Sequence, residues 1–230
     1  MYQIGKRKKH IVNGNALRTW ALLFLAAGVI GRGVIQNHIL GVGTLTTQQL
    51  LEVMNQSDSA MALVSISLVL QALEACAVPI FAFLLVEGFQ KTSSYKNYLL
   101  RVLLVAVVSE IPYNLAFSSH FFVMDSRNPA FGLVLGLLML YFYRYCSARS
   151  FKNTLIKAFV TLSAILWCEM LRIEHGSFTI LMTAVLWLMR SRVNFRTFAA
   201  CGAAALANII SLYYFAAPFS CLLLHFYNDE

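Results

Sequence analysis

Four glutamates interrupt the apolar runs of this chain: Glu74, Glu87, Glu110 and Glu169. An ionisable group is costly to keep inside a bilayer, so each is a candidate for proton handling or for gripping a ligand, and each needs a partner. Glu87 closes the stretch "PIFAFLLVEGFQKT", residues 79 to 92, and is followed by Gly88, Lys91 and Thr92. Glycine lets a ligand approach the backbone closely, and an ammonium and a hydroxyl one turn further on offer donors to a phosphate. The plainer reading of Glu87 is an interfacial carboxylate that reaches water beside Lys91. Glu74 is roughly 20 Å from Glu87 along a helix, so the two carboxylates serve different points.

Glu110 sits in "YLLRVLLVAVVSEIPYNLAF", with Tyr113 and Asn114 at i+3 and i+4 on the same helix face. Pro112 frees a backbone carbonyl beside them. Depth along the runs puts Arg32, Gln71, Glu74, Arg127, Asn128, Glu169, Glu174 and His175 toward the same end, which predicts an outward polar chamber. A buried carboxylate with a raised pKa can act as a general base, which makes Glu110 and Glu74 candidates, with His175 a third. The structural alternative is that Arg32 or Arg127 neutralises Glu74 or Glu110 to fix helix packing. For His175 the bland reading is a solvated residue at a helix-loop junction, and His10, His38, His120 and His225 receive no role. The expectation is that Glu74, Glu110 and Glu169 converge on one water-accessible hollow.

The elements that must position these residues follow from composition. With 59% hydrophobic and 12% charged residues in 230, and a mean hydropathy of +0.68, the chain is an integral membrane protein and not a soluble domain. Apolar runs near 20 residues are helical spans, and the alternation of barrel strands is absent. The runs are Ala16 to Gly33, Met61 to Phe89, Tyr98 to Phe117, Ala130 to Tyr145, Thr154 to Leu171, Ser177 to Met189, Thr197 to Tyr214 and a short Ala217 to Phe226. The fold class is therefore all-α, a polytopic bundle of about eight helices in one transmembrane domain over residues 1 to 230. The second run exceeds what an upright helix needs, so it tilts, kinks at Pro79 or begins at the interface.

The net charge of +8 resides in short clusters between apolar runs, which argues for orientation in a lipid bilayer and against nucleic acid. Alternate assignment of loops puts all Lys and Arg on one side except Arg32, Arg127 and Arg172, and so predicts a cytoplasmic N-terminus. The basic start "MYQIGKRKKH" reads as the flank of an uncleaved first helix. Cys76, Cys146, Cys168, Cys201 and Cys221 lie in or beside apolar runs with no metal-ligand spacing, so they read as small buried hydrophobes and no metal is expected.

Four blocks in order resemble the TraX-like membrane proteins, a family named for a pilin N-acetylase: "PIFAFLLVEGFQKT", "KNYLLRVLLVAVVSEIPYNLAF", "NPAFGLVLGL" and "IEHGSFTILMTAVLW". The resemblance covers residues 16 to 228. It implies a polytopic acyltransferase of a bacterial plasma membrane, moving an acetyl or similar group from cytoplasmic acyl-CoA to an amine or hydroxyl. On that reading Glu87, Gly88, Lys91 and Thr92, with Tyr95, hold the CoA donor. Glu110, Glu74 or His175 supplies the base, and Arg32, Tyr113, Asn114, Asn128 and Glu169 face the acceptor. The family's Asp-His pair late in the first helix is replaced here by Gly28 and Val29, with Ile30 and Gly31 preserved. Two other readings fit the same residues: a non-catalytic relative that binds a lipid, peptide or protein partner, and a small proton-coupled transporter. The ending "LLLHFYNDE" resembles the start of a family turn that precedes one more helix.

Overall fold

The computed structural model describes residues 13–41, 47–55, 57–118, 126–146, 150–209 and 211–227. The basic start, His10, His120, Arg149 and the last three residues lie outside the described residues. The fold is an all-α transmembrane bundle. Helix α1 spans Gly14–Gly28 and continues without a break as a π-helix over Val29–Ile39. It is followed by α2 Thr47–Met54, α3 Asp58–Ala75, α4 Ala77–Lys91 and α5 Tyr95–Ser118. Then come α6 Ala130–Tyr145, α7 Phe151–Met170, α8 Gly176–Leu188, α9 Val193–Ala207 and α10 Ala217–Leu223, the last flanked by 3-10 turns at Leu212–Ala216 and Leu224–Phe226.

Among the described residues, four stretches are long and apolar enough to cross a membrane: Gly14–Ile39, Asp58–Lys91, Tyr95–Phe117 and Phe151–Met170. The expected spans at Ala130, Ser177 and Ala217 form shorter helices that pack inside the bundle. The expected run from Thr197 to Tyr214 is a correction: α9 ends at Ala207 and the chain turns before the 3-10 segment, so it is not one helix. The short α2 falls in what the sequence suggested was an open loop. Its residues, TQQLLEVM, alternate polar and apolar too briefly to announce a helix.

Local chemistry explains most boundaries. The Ser57 hydroxyl caps α3 by accepting from the Ala60 N–H at 3.1 Å. The long second run breaks at Cys76, because Pro79 has no N–H for the Ala75 carbonyl and its ring crowds that turn. Cys76 N–H instead bonds Leu73 O at 3.0 Å. Helix α8 is apolar on all sides and accordingly lies at the centre, against α4, α6, α7 and α9. The outward faces of α5 and α7 carry exposed Leu104, Val108, Phe159 and Leu166, as lipid contact requires.

Candidate functional site

The basic end of the bundle holds a hollow of about 400 Å³ lined by Arg18, Glu87, Gly88, Lys91, Tyr98 and Tyr227 among others. Lys91 Nζ donates to Glu87 Oε1 at 2.9 Å, an i,i+4 pair one turn from the end of α4. The Tyr227 hydroxyl donates to the same carboxylate oxygen from the chain's far terminus. A second hollow of about 460 Å³ lies on the other side of that contact, with Arg190 and Arg196 in its wall. Arg196 stacks over the Phe83 ring at 4.8 Å and donates to Leu224 O at 3.4 Å.

Gly88 has a different reason from the one the sequence suggested. A Cβ there would strike the Tyr98 hydroxyl, so the glycine makes room for a tyrosine of the next helix. Thr92 does not line the hollow; it ends α4, its hydroxyl donating to Ser94 O at 3.1 Å. Tyr95 is turned away as well, stacked on Tyr141 at 4.6 Å.

Toward the opposite end lies a hollow of about 470 Å³ between α1, α4, α5 and α6. Most of its wall is apolar, including Leu22, Leu25, Val29 and Val105, and its polar members are Glu74, Ser109, Tyr113, Asn128, His175 and Thr179. Phe81 and Leu133 wall both this hollow and the basic one that contains Glu87. Glu74 is 4% exposed, and its carboxylate occupies the space that a side chain on Gly28 would need. Only glycine at position 28 permits this.

A charged network roofs this hollow. Arg32, carried by the π-helix, pairs with Glu174 and lies 4.0 Å from Glu74, its guanidinium 4.3 Å over the Phe117 ring. Tyr113 donates to Glu174 Oε2 at 2.6 Å and meets Ser126 Oγ at 2.6 Å. Two loops are stapled here by one bridge, in which Arg127 N–H bonds Arg172 O and Glu174 N–H bonds Arg127 O, each at 2.9 Å. Arg172 and His175 take left-handed backbone conformations to make that turn. His175 Nδ1 sits 2.8 Å from the Tyr214 hydroxyl. Burial and the nearby Arg32 charge push the His175 imidazole down to about 4, so it is neutral at pH 7.

The expected convergence of three carboxylates needs correction. Glu74 lines the hollow, whereas Glu110 does not. Its Oε2 accepts the Asn128 N–H at 3.1 Å, and its Oε1 is buried with no hydrogen-bond partner among the described residues. Asn128, in the loop that leads into α6, is tied further to α5 by donating to Ala106 O at 2.8 Å and Ser109 Oγ at 3.0 Å. Asn114 is buried in α5 and does not line the hollow either. Glu169 is exposed near the end of α7 and takes a bond from Ser177. Glu174 is the residue that sequence reasoning left without a role; its pairing with Arg32 spans 142 positions, and no local pattern signals it.

A membrane bundle with a basic hollow at one end and a charged, roofed hollow toward the other defines a polytopic protein with an ionisable interior. The chain belongs to the TraX protein family, whose model matches residues 14–227. No curated protein and no solved structure matches it.

Proposed function

We propose that the protein is a membrane-embedded acyltransferase, with its N-terminus in the cytoplasm and its donor, acetyl-CoA or another acyl-CoA, held at the basic end. The observation that carries this reading is that the basic hollow and the opposite one share Phe81 and Leu133 as walls. A thioester arm directed past these two side chains brings its carbonyl toward Glu74. Arg18 and Lys91, with Arg190 and Arg196 across the Glu87–Tyr227 contact, suit the phosphates and nucleotide of such a donor.

The chemistry assigns few roles. An acceptor amine or hydroxyl attacks the thioester carbonyl, Glu74 takes the acceptor proton, and the C–S bond breaks as the new C–N or C–O bond is kept. The thiolate leaves and receives the proton from Glu74. With the Tyr214 hydroxyl donating to Nδ1, the neutral His175 carries its proton on Nε2 and acts as a donor to the oxyanion. This use of His175 replaces the base role expected for it, and Glu110 becomes a positioning residue for Asn128.

The test pairs two measurements on protein in detergent. Acetyl-CoA raises the melting temperature, and labelled acetyl transfer to membrane components is observed. Glu74→Gln leaves the melting shift in place and lowers transfer by about 10²–10⁴-fold, the usual contribution of a general base. Absence of any nucleotide-dependent shift, or transfer that Glu74→Gln leaves unchanged, overturns the reading. A non-catalytic binding protein is the second reading, favoured by the ion pairing of Glu74 with Arg32; it predicts no transfer at all.

A further inference from the structure

The hollow near Glu74 has a closed roof and an open side. Its roof is the Arg32, Glu174 and Tyr113 network together with the bridged loops at Arg127 and Ile173. A water-soluble ligand arriving from that end meets the half-buried Arg32–Glu174 pair. The side is different. Helix α5 packs on α6 and on the π-helix and touches α4 at the basic end, where the Tyr98 hydroxyl donates to Leu85 O at 3.4 Å, but among the described residues it makes no close helix-to-helix interface with α1. Leu22 on α1 and Val105 on α5 both line the hollow and are 59% and 58% exposed, so they form the lips of a mouth. Both lie inside stretches long and apolar enough to cross the bilayer, so the mouth opens onto lipid.

From this we infer that the hollow takes a membrane amphiphile from the side, with a hydroxyl or amine head and a single alkyl chain. The head fits the polar inner wall, where the Glu74 carboxylate accepts a hydrogen bond and Tyr113, Asn128 and His175 stand nearby. The chain trails past Leu22 and Val105 into the bilayer, which leaves the Phe81 and Leu133 side to a second ligand. An alkyl chain is the occupant because the wall between head and mouth is almost wholly apolar and the solvent outside the mouth is hydrocarbon. This inference deepens the acyltransferase reading by naming the acceptor as a lipid, but lateral binding stands without turnover.

The test uses full-length protein in liposomes with monopalmitoyl glycerol bearing a diazirine on its chain, and no acyl-CoA. Photolabelled positions are mapped by peptide mass spectrometry. Label is expected on α1 around Leu22 to Val29 and on α5 around Val105 to Ala116, competed by unlabelled monopalmitoyl glycerol and not by glycerol. Val105→Trp, which narrows the mouth from a lipid-facing position, lowers that labelling by roughly ten-fold. Leu166→Trp on the outer face of α7 is the control and leaves it unchanged. Label spread over α7 and α5 in proportion to exposure, or label that Val105→Trp does not reduce, overturns the inference. Mouth-specific labelling without acetyl transfer would sink the enzyme reading and keep this one; transfer to soluble amines without such labelling would do the reverse.

Discussion

Glu87 and Glu74 occupy successive helices of one apolar hairpin-free rod, yet they are held in opposite ways. Glu87 stands at the basic end of α4 and is paired with Lys91, an exposed neighbour one turn away. Glu74 is buried in α3, and its counter-charge, Arg32, comes from another helix and is shared with Glu174. In the first case the Lys91 ammonium is largely in water, and Glu87, half-buried, keeps the Tyr227 hydroxyl as a second donor, so the pair itself adds little. In the second, each charge depends on the others for solvation, so loss of one leaves the rest stranded.

The sharpest way to break this comparison is to remove one member of each set. Glu174→Ala takes from the half-buried Arg32 its nearest counter-ion and is expected to cost about 1.5–3 kcal/mol, measured by thermal or denaturant unfolding in detergent. If it costs no more than Lys91→Ala, the two ends do not differ as described. Gly28→Ala places a methyl group against the Glu74 carboxylate and is expected to cost about 1–3 kcal/mol. Adding Glu74→Ala should relieve part of that loss, and a double-mutant cycle measures the coupling.

Acid provides a graded test. The folded His175 is held down to about 4 and the unfolded side chain titrates near its ordinary 6.5, so the unfolded state binds the extra proton first. Stability is therefore intact above about pH 6.5 and falls as pH drops toward 4. His175→Phe should flatten that slope in unfolding curves taken between those values. The smallest effect is reserved for Lys91→Ala, which should change stability by less than about 1 kcal/mol while weakening any acetyl-CoA melting shift.

The contrast also explains what the sequence could reveal. Helix α6, Ala130–Tyr145, coincides with its expected run because composition alone defines it. The Glu87–Lys91 pair was legible for a similar reason, since its partners are four positions apart. The π-helix was not legible: Val29–Ile39 reads as a continuation of an ordinary apolar helix, and only tertiary contacts such as Ser67 Oγ donating to Gly31 O at 2.9 Å reveal its packing. Arg32 was legible as a counter-charge for Glu74, but the link from Arg32 and Tyr113 to Glu174 was hidden, because Glu174 lies in a distant segment held by the loop bridge. The polar residues at that end were correctly grouped by depth, but depth along a helix does not fix facing. Glu169 shares the depth and points outward.

The pairing of a bare backbone position at 28 with the carboxylate of Glu74 has a consequence for how such chains are compared. An acid can reach a given spot on the first helix without being encoded there, provided that the position itself surrenders its side chain. A linear pattern that demands an acid in the first helix will pass over this protein, whereas a search keyed to the coordinates of carboxylate oxygens will find one waiting beside it. In this chain, then, the glycine at position 28 marks the spot on the first helix that the acid of the neighbouring helix fills.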